Sequence, residues 1–122
     1  MEVNMREILF RGKTACGAWV QGDLIHRKIW HSKFEVVRVD DSGFDNYTEY
    51  EVATDTIGQF TGLTDKNGNK IFEGDIVTVD GNCYEVKYML GQFFIGKNMP
   101  VAYKRFDCEI IGNIFDNPEL IK

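Results

Sequence analysis

Lys70-Ile71-Phe72-Glu73-Gly74-Asp75-Ile76-Val77-Thr78-Val79-Asp80-Gly81-Asn82-Cys83-Tyr84-Glu85-Val86-Lys87-Tyr88 is the stretch that decides the fold class. Glu73-Gly74-Asp75 and Asp80-Gly81-Asn82 are turn signals, and the β-branched run Ile76–Val79 between them reads as a strand. From Cys83 to Tyr88 the pattern alternates: Tyr84, Val86 and Tyr88 fall on one face, Glu85 and Lys87 on the other. That period of two predicts a strand with one buried side.

The same reading extends in both directions. Downstream, Gly91 breaks the chain before Phe93-Phe94-Ile95, and Cys108–Phe115 reads as a last strand interrupted at Gly112. Upstream, Asn67-Gly68 favours positive φ and the close of a hairpin after Ile57–Leu63. Further back, strands are expected at Glu7–Arg11, Ala18–Gln21 (closed by Gly22-Asp23), Leu24–Trp30, Phe34–Val39 and Tyr47–Val52. Helical periodicity is scarce. Met99–Phe106 allows one or two turns, and Asn117-Pro118 suggests an N-cap and first position of a short terminal helix. The expectation is a mainly β fold with one or two short helical turns, in one domain with two possible subdomains, 1–55 and 56–122.

Composition sets the outer bounds. Of 122 residues, 43% are apolar and 13% aromatic, which supplies the core-forming mass that disordered chains lack. No apolar run approaches the ~20 residues needed to span a bilayer, so no membrane partner is expected. Cys16, Cys83 and Cys108 show no paired spacing, which suits a reducing cytoplasm better than a disulfide framework.

Net charge is −5, but it is unevenly spread. Residues 1–33 hold six basic and three acidic groups, whereas residues 34–56 hold one basic and seven acidic groups. The acidic balance disfavours nonspecific contact with phosphate backbones at long range. Arg6, Arg11, Lys13, Arg27, Lys28 and Lys33 nonetheless make a local basic set, and the simplest reading is that it faces the acidic segment across a sheet or a subunit contact.

Motifs for chemistry are each incomplete. Gly91-Gln92-Phe93-Phe94-Ile95-Gly96-Lys97-Asn98 has phosphate-loop spacing, but Asn98 stands where a magnesium-binding hydroxyl is required and the Phe-Phe-Ile interior favours a strand. Asp65, Asn67 and Asn69 mimic the start of a calcium loop, yet Lys70 and Ile76 occupy the positions of its turn glycine and bidentate glutamate. Turn chemistry accounts for these residues better. His26 and His31 lie an odd number of residues apart, which places them on opposite faces of a strand, and no cysteine accompanies them at zinc spacing. Acid pairs such as Glu73 with Asp75 are expected to cap backbone amides. No cofactor, metal or catalytic set is expected, and nothing argues for an enzyme. Tyr84, Tyr88, Phe93 and Phe94 could stack bases on a small barrel, but core packing is the simpler account.

Three blocks carry a family resemblance. They are Thr56-Ile57-Gly58-Gln59-Phe60-Thr61-Gly62-Leu63-Thr64-Asp65-Lys66-Asn67-Gly68-Asn69-Lys70-Ile71-Phe72-Glu73-Gly74-Asp75-Ile76-Val77, the opening Met5-Arg6-Glu7-Ile8-Leu9-Phe10-Arg11-Gly12, and the closing Ile110-Ile111-Gly112-Asn113-Ile114-Phe115-Asp116-Asn117-Pro118-Glu119-Leu120. In this order they resemble the YopX family of bacteriophage and prophage proteins. The resemblance implies small, barrel-like antiparallel sheets with an SH3-like element in the C-terminal half, and work inside a bacterial host. It carries over no catalytic residues.

The functional expectation is a non-enzymatic protein-interaction module in the bacterial cytoplasm, because exposed sheet edges recruit strands from other chains. Asp40, Asp41, Asp45, Glu49 and Glu51 are the candidate partner-binding residues, and a symmetric homo-oligomer is expected. The alternative is a nucleic-acid-binding accessory protein that uses the basic first third.

Overall fold

A computed structural model of the protein describes residues 7–40, 46–104 and 106–121. The chain divides into two compact units, residues 1–59 and 60–122. Strands dominate both, and every strand pairing is antiparallel.

The first unit is built on β1 (Phe10–Lys13), β2 (Trp19–Ile29), β3 (Ser32–Asp40) and β4 (Tyr47–Val52), in the spatial order β4-β3-β2-β1. A 3₁₀ turn over Thr54–Thr56 precedes β5 (Gly58–Thr64), whose first residues pair with β1. Two sequence-derived breaks are absent. β2 runs unbroken through Gly22-Asp23, and β1 starts at Phe10 and continues through Gly12. Neither glycine has positive φ. Each is instead a point of close approach: a Cβ on Gly12 would stand 2.7 Å from Cβ of Val52, and one on Gly22 would stand 1.9 Å from the Arg38 carbonyl oxygen. Val36, Val37 and Val52 are its buried apolar side chains among the described residues.

The second unit takes up the later residues of β5, which pair with β6 (Lys70–Phe72) around the Asp65–Asn69 loop. There follow β7 (Asp75–Val79), β8 (Asn82–Met89), β9 (Gln92–Ile95), β10 (Met99–Pro100), the helical turn α1 (Val101–Lys104) and β11 (Glu109–Asn113). A sheet of order β10-β9-β8-β7-β11 results, and among the described strands it does not close into a barrel. Asp80-Gly81 and Leu90-Gly91, with φ of 52°, 83°, 52° and 81°, close the β7–β8 and β8–β9 hairpins as two-residue turns that match strand twist. Ile71, Val77, Val79, Val86, Phe93, Ile95, Val101 and Cys108 form one buried cluster, with Tyr84 and Ile110 packed on it. The alternation read from Cys83–Tyr88 is therefore half correct for burial: Val86 points into the core, while Tyr88 is exposed and lies edge-on to Phe93 at 4.9 Å.

Local polar residues fix the turns. Asp65 is buried, and its carboxylate accepts backbone N–H bonds from Asn67 and Asn69 at 2.9 Å and from Ile110 at 3.0 Å. This is turn chemistry extended to a second strand. Asp75, also buried, accepts the Phe72 N–H at 2.7 Å across the Glu73-Gly74 turn. At the C-terminal end the short helix expected from Pro118 is the 3₁₀ turn Pro118–Ile121, but the Asn117 side chain does not cap it. The Asn117 carboxamide oxygen is committed elsewhere, accepting the Asn113 N–H at 3.3 Å. Gly112 makes room for it, since a Cβ there would meet that oxygen at 2.4 Å. The interruption expected at Gly112 is a shift of register between Ile110 and Gly112 in the β7–β11 pairing.

Candidate interaction surface

The charged residues singled out in the sequence meet on the β2–β3–β4 sheet. The register sets Asp23 opposite Arg38 and Arg38 opposite Glu49, so these three share one face. Strand alternation puts Arg27, Val36, Asp40 and Glu51 on that face as well. Glu49 Oε2 lies 2.5 Å from Arg27 Nη2 and 3.3 Å from Arg38 Nη2. The Arg27 hydrogen bond is the main influence that holds the Glu49 carboxyl below the usual carboxylate range; partial burial opposes it and Arg38 adds to it. Arg38 also stacks over the Tyr47 ring at 4.0 Å. On the opposite face Glu35 accepts a hydrogen bond from the Thr54 hydroxyl at 2.5 Å and lies 3.7 Å from His26.

From the basic first third, Arg27 faces the acidic segment across the sheet, through Glu49. Arg38, the second partner of Glu49, belongs to the acidic segment itself, and Lys28 and Lys33 lie opposite each other on the other face. Of the five acids singled out, Glu49 is internally paired, Asp40 and Glu51 are exposed, and Asp41 and Asp45 lie outside the described residues, as does Arg6. Arg11 and Lys13 sit elsewhere in the unit, over the Trp19 ring at 4.9 and 6.0 Å.

β4 is an edge strand, pairing with β3 alone among the described strands. Its six pairs with β3 run in continuous register with no bulge. Tyr47-Thr48-Glu49-Tyr50-Glu51-Val52 contains no proline or lysine, two devices that usually blunt an exposed edge. Tyr47 and Tyr50 are exposed along it.

Sequence reasoning missed the other end of this sheet. β2 and β3 continue past β4 as a two-stranded hairpin whose apex carries Trp30, 89% exposed and held at φ 58°. The available signal was a strand-to-strand junction, Trp30-His31-Ser32, that contains no glycine.

In the second unit, Tyr84, Lys87, Lys97, Asn98, Met99 and Ile121 are among the residues around a cleft of about 550 Å³. The Gly91–Asn98 motif contributes Gly96-Lys97-Asn98 to its rim. The interior of that motif is strand β9, and α1 begins only after β10, so there is no loop wrapped on a helix N-terminus. Phe93 and Phe94 are buried, which removes them as a base-stacking surface.

The three cysteines are free thiols; Cys16 and Cys83 are exposed and Cys108 is buried. A hydrogen bond with the Thr14 side chain, aided by the Ala18 backbone, lowers the Cys16 pKa. Burial, assisted by the negative charge of Asp65, pushes the Cys108 thiol up. For Asp65 itself burial alone would raise the pKa, but the N–H donors of Ile110, Asn69 and Asn67 outweigh it and the net shift is downward. Among the described residues no group of three or more His, Cys, Asp and Glu is placed to hold a metal ion, and no helix is long and apolar enough to cross a membrane.

A search of curated proteins finds no match. Among solved structures the chain is similar to protein EF1440 from Enterococcus faecalis, with 25% identity, a TM-score of 0.62, and coverage of 97% of this chain and 100% of that one. The family model described as YopX protein matches residues 9–122, which includes all of the second unit and most of the first. On that match, the chain belongs to the YopX family.

Proposed function

We propose that this is a non-enzymatic interaction module, phage- or prophage-encoded and working in the cytoplasm of a bacterial host, that recruits an extended segment of a protein partner onto β4. The observation that carries the reading is the bulge-free edge of β4, which pairs with β3 alone among the described strands. A strand added there gains main-chain hydrogen bonds, and its side chains gain specificity from the pattern beside them. That pattern is acidic: Asp40 and Glu51 are exposed while Glu49 is occupied by arginines, so a segment with alternating basic side chains fits best. A second copy of the chain is one partner of this kind, in keeping with a homo-oligomer.

The test is affinity capture from host lysate with the tagged full chain, with and without nuclease, set beside an Asp40→Lys/Glu51→Lys double variant and light scattering of the purified protein. A protein held by the wild-type chain in both nuclease arms, but not by the variant, agrees with the reading. So does a wild-type oligomer that the variant dissociates. Capture or assembly untouched by the variant, or recovery that vanishes with nuclease, rejects it.

A further inference from the structure

We propose that the apex of the β2–β3 hairpin is a contact site for single-stranded nucleic acid, with Trp30 as a stacking platform and the Lys28–Lys33 pair as its phosphate contact. This stands apart from the β4 reading and uses a different part of the sheet.

The pairing of β4 with β3 ends at Val52 opposite Glu35, whereas β2 and β3 remain paired out to Ile29 opposite Ser32. Arg27–Lys33 is therefore a two-stranded ribbon with no third strand beside it among the described residues, and each of these residues is exposed. Three of its features go uncompensated among the described residues. Trp30 leaves an indole 89% exposed. It does so at φ 58°, a region that bulky side chains avoid and that Gly or Asn would occupy at less cost. Lys28 lies directly opposite Lys33 in the register, and like charges across a strand pair repel. Arg27 and His26 have acidic neighbours in Glu49 and Glu35, but neither lysine has an ion-pair partner among the described residues.

A flexible polyanion with flat bases answers all three features. A base stacked on the indole covers its face, and a phosphate between two ammonium groups turns repulsion into attraction. Unpaired strands are favoured because their bases are free to stack. A lipid surface fits less well: His31 and Ser32 share the apex, and burying Ile29 and Trp30 in acyl chains would dehydrate them too. Base stacking takes up the indole and leaves them in water. The net charge of −5 opposes association from afar, but at 0.1 M salt fields fade within about 10 Å, so the local pair governs contact.

The measurement is fluorescence anisotropy of a labelled 15-nucleotide oligothymidylate titrated with the whole chain at 20 to 200 mM salt. The expected result is saturable binding whose log–log salt slope is about −1.4, the value for two phosphate contacts to a single strand. Trp30→Asn, which keeps a residue tolerant of this φ, is expected to weaken binding about tenfold. Lys28→Ala/Lys33→Ala is expected to bring the slope close to zero. Parallel titrations use phosphatidylglycerol vesicles and polyglutamate. Absence of oligonucleotide binding at 20 mM salt overturns the proposal, as does binding indifferent to both variants. Vesicle binding that exceeds oligonucleotide binding overturns it in favour of a membrane contact, and equal response to polyglutamate overturns it in favour of a generic polyanion or acidic protein.

Discussion

Gly22 lies directly beneath the carbonyl oxygen of Arg38, so close that a Cβ on Gly22 would stand 1.9 Å from it. The contact explains why a residue that normally marks a turn sits inside an eleven-residue strand. It also sets how near β2 comes to β3 beside the pair that places Asp23 opposite Arg38.

Gly22→Ala is accordingly expected to destabilise the first unit by about 3 kcal/mol, because backbone must move to admit the methyl group. Gly68→Ala provides the contrast. Its φ of 83° is strained for Ala but nothing lies within 4 Å of the added atom, so the expected cost is about 1 kcal/mol. Urea unfolding of both variants checks the order, and equal losses would contradict it.

Asp65 links stability of the second unit to pH. Its carboxyl titrates lower in the fold than in the unfolded chain, so its contribution is fully present above the unfolded value of about 4 and is lost as pH falls through the folded value. Asp65→Asn is expected to lower stability by about 2 kcal/mol at pH 7 and by much less near pH 2. Thermal melts of both proteins at the two pH values read this out; a constant difference would remove the carboxylate from the account.

Thiol reactivity separates the three cysteines. With an aromatic disulfide reagent at pH 7.5, Cys16 is expected to react first, since its thiolate is favoured by Thr14 and it is exposed. Cys83 follows, and Cys108 reacts only when the second unit opens. Mass spectrometry of the labelled sites at successive times tests this order. Early labelling of Cys108 would show the core cluster to be open.

Trp30→Asn is expected to raise stability by about 0.5–1 kcal/mol, because Asn tolerates φ 58° and the exposed indole contributes little packing. Circular dichroism melts decide it. A lower melting temperature would mean that the indole holds the hairpin together, and its exposure would then have a structural reason.

Much of this molecule is legible along the chain because its causes are local. A period of two is a property of consecutive residues, so the strands around Ile76–Val79 and Cys83–Tyr88 are found without knowing their neighbours. The turns at Glu73-Gly74-Asp75 and Asp80-Gly81 follow from backbone preferences of one or two residues, and the Asp65–Asn69 loop from side chains that bond amides a few positions on. The charge map anticipates one contact between the basic first third and the acidic segment after it, that of Arg27 with Glu49.

What the tertiary structure decided depends on which strand lies across from which. Gly12, Gly22 and Gly112 look like breaks in sequence; only the approach of Val52, Arg38 and Asn117 reveals them as spacers within strands. The same holds for Glu49, singled out in the sequence as a partner-binding acid but paired with two arginines in the sheet, and for Trp30, read as the end of a strand and found exposed at a hairpin apex. β2 and β3 are longer than the strands beside them, and that mismatch in length carries Trp30 past the end of β4, clear of the other described strands.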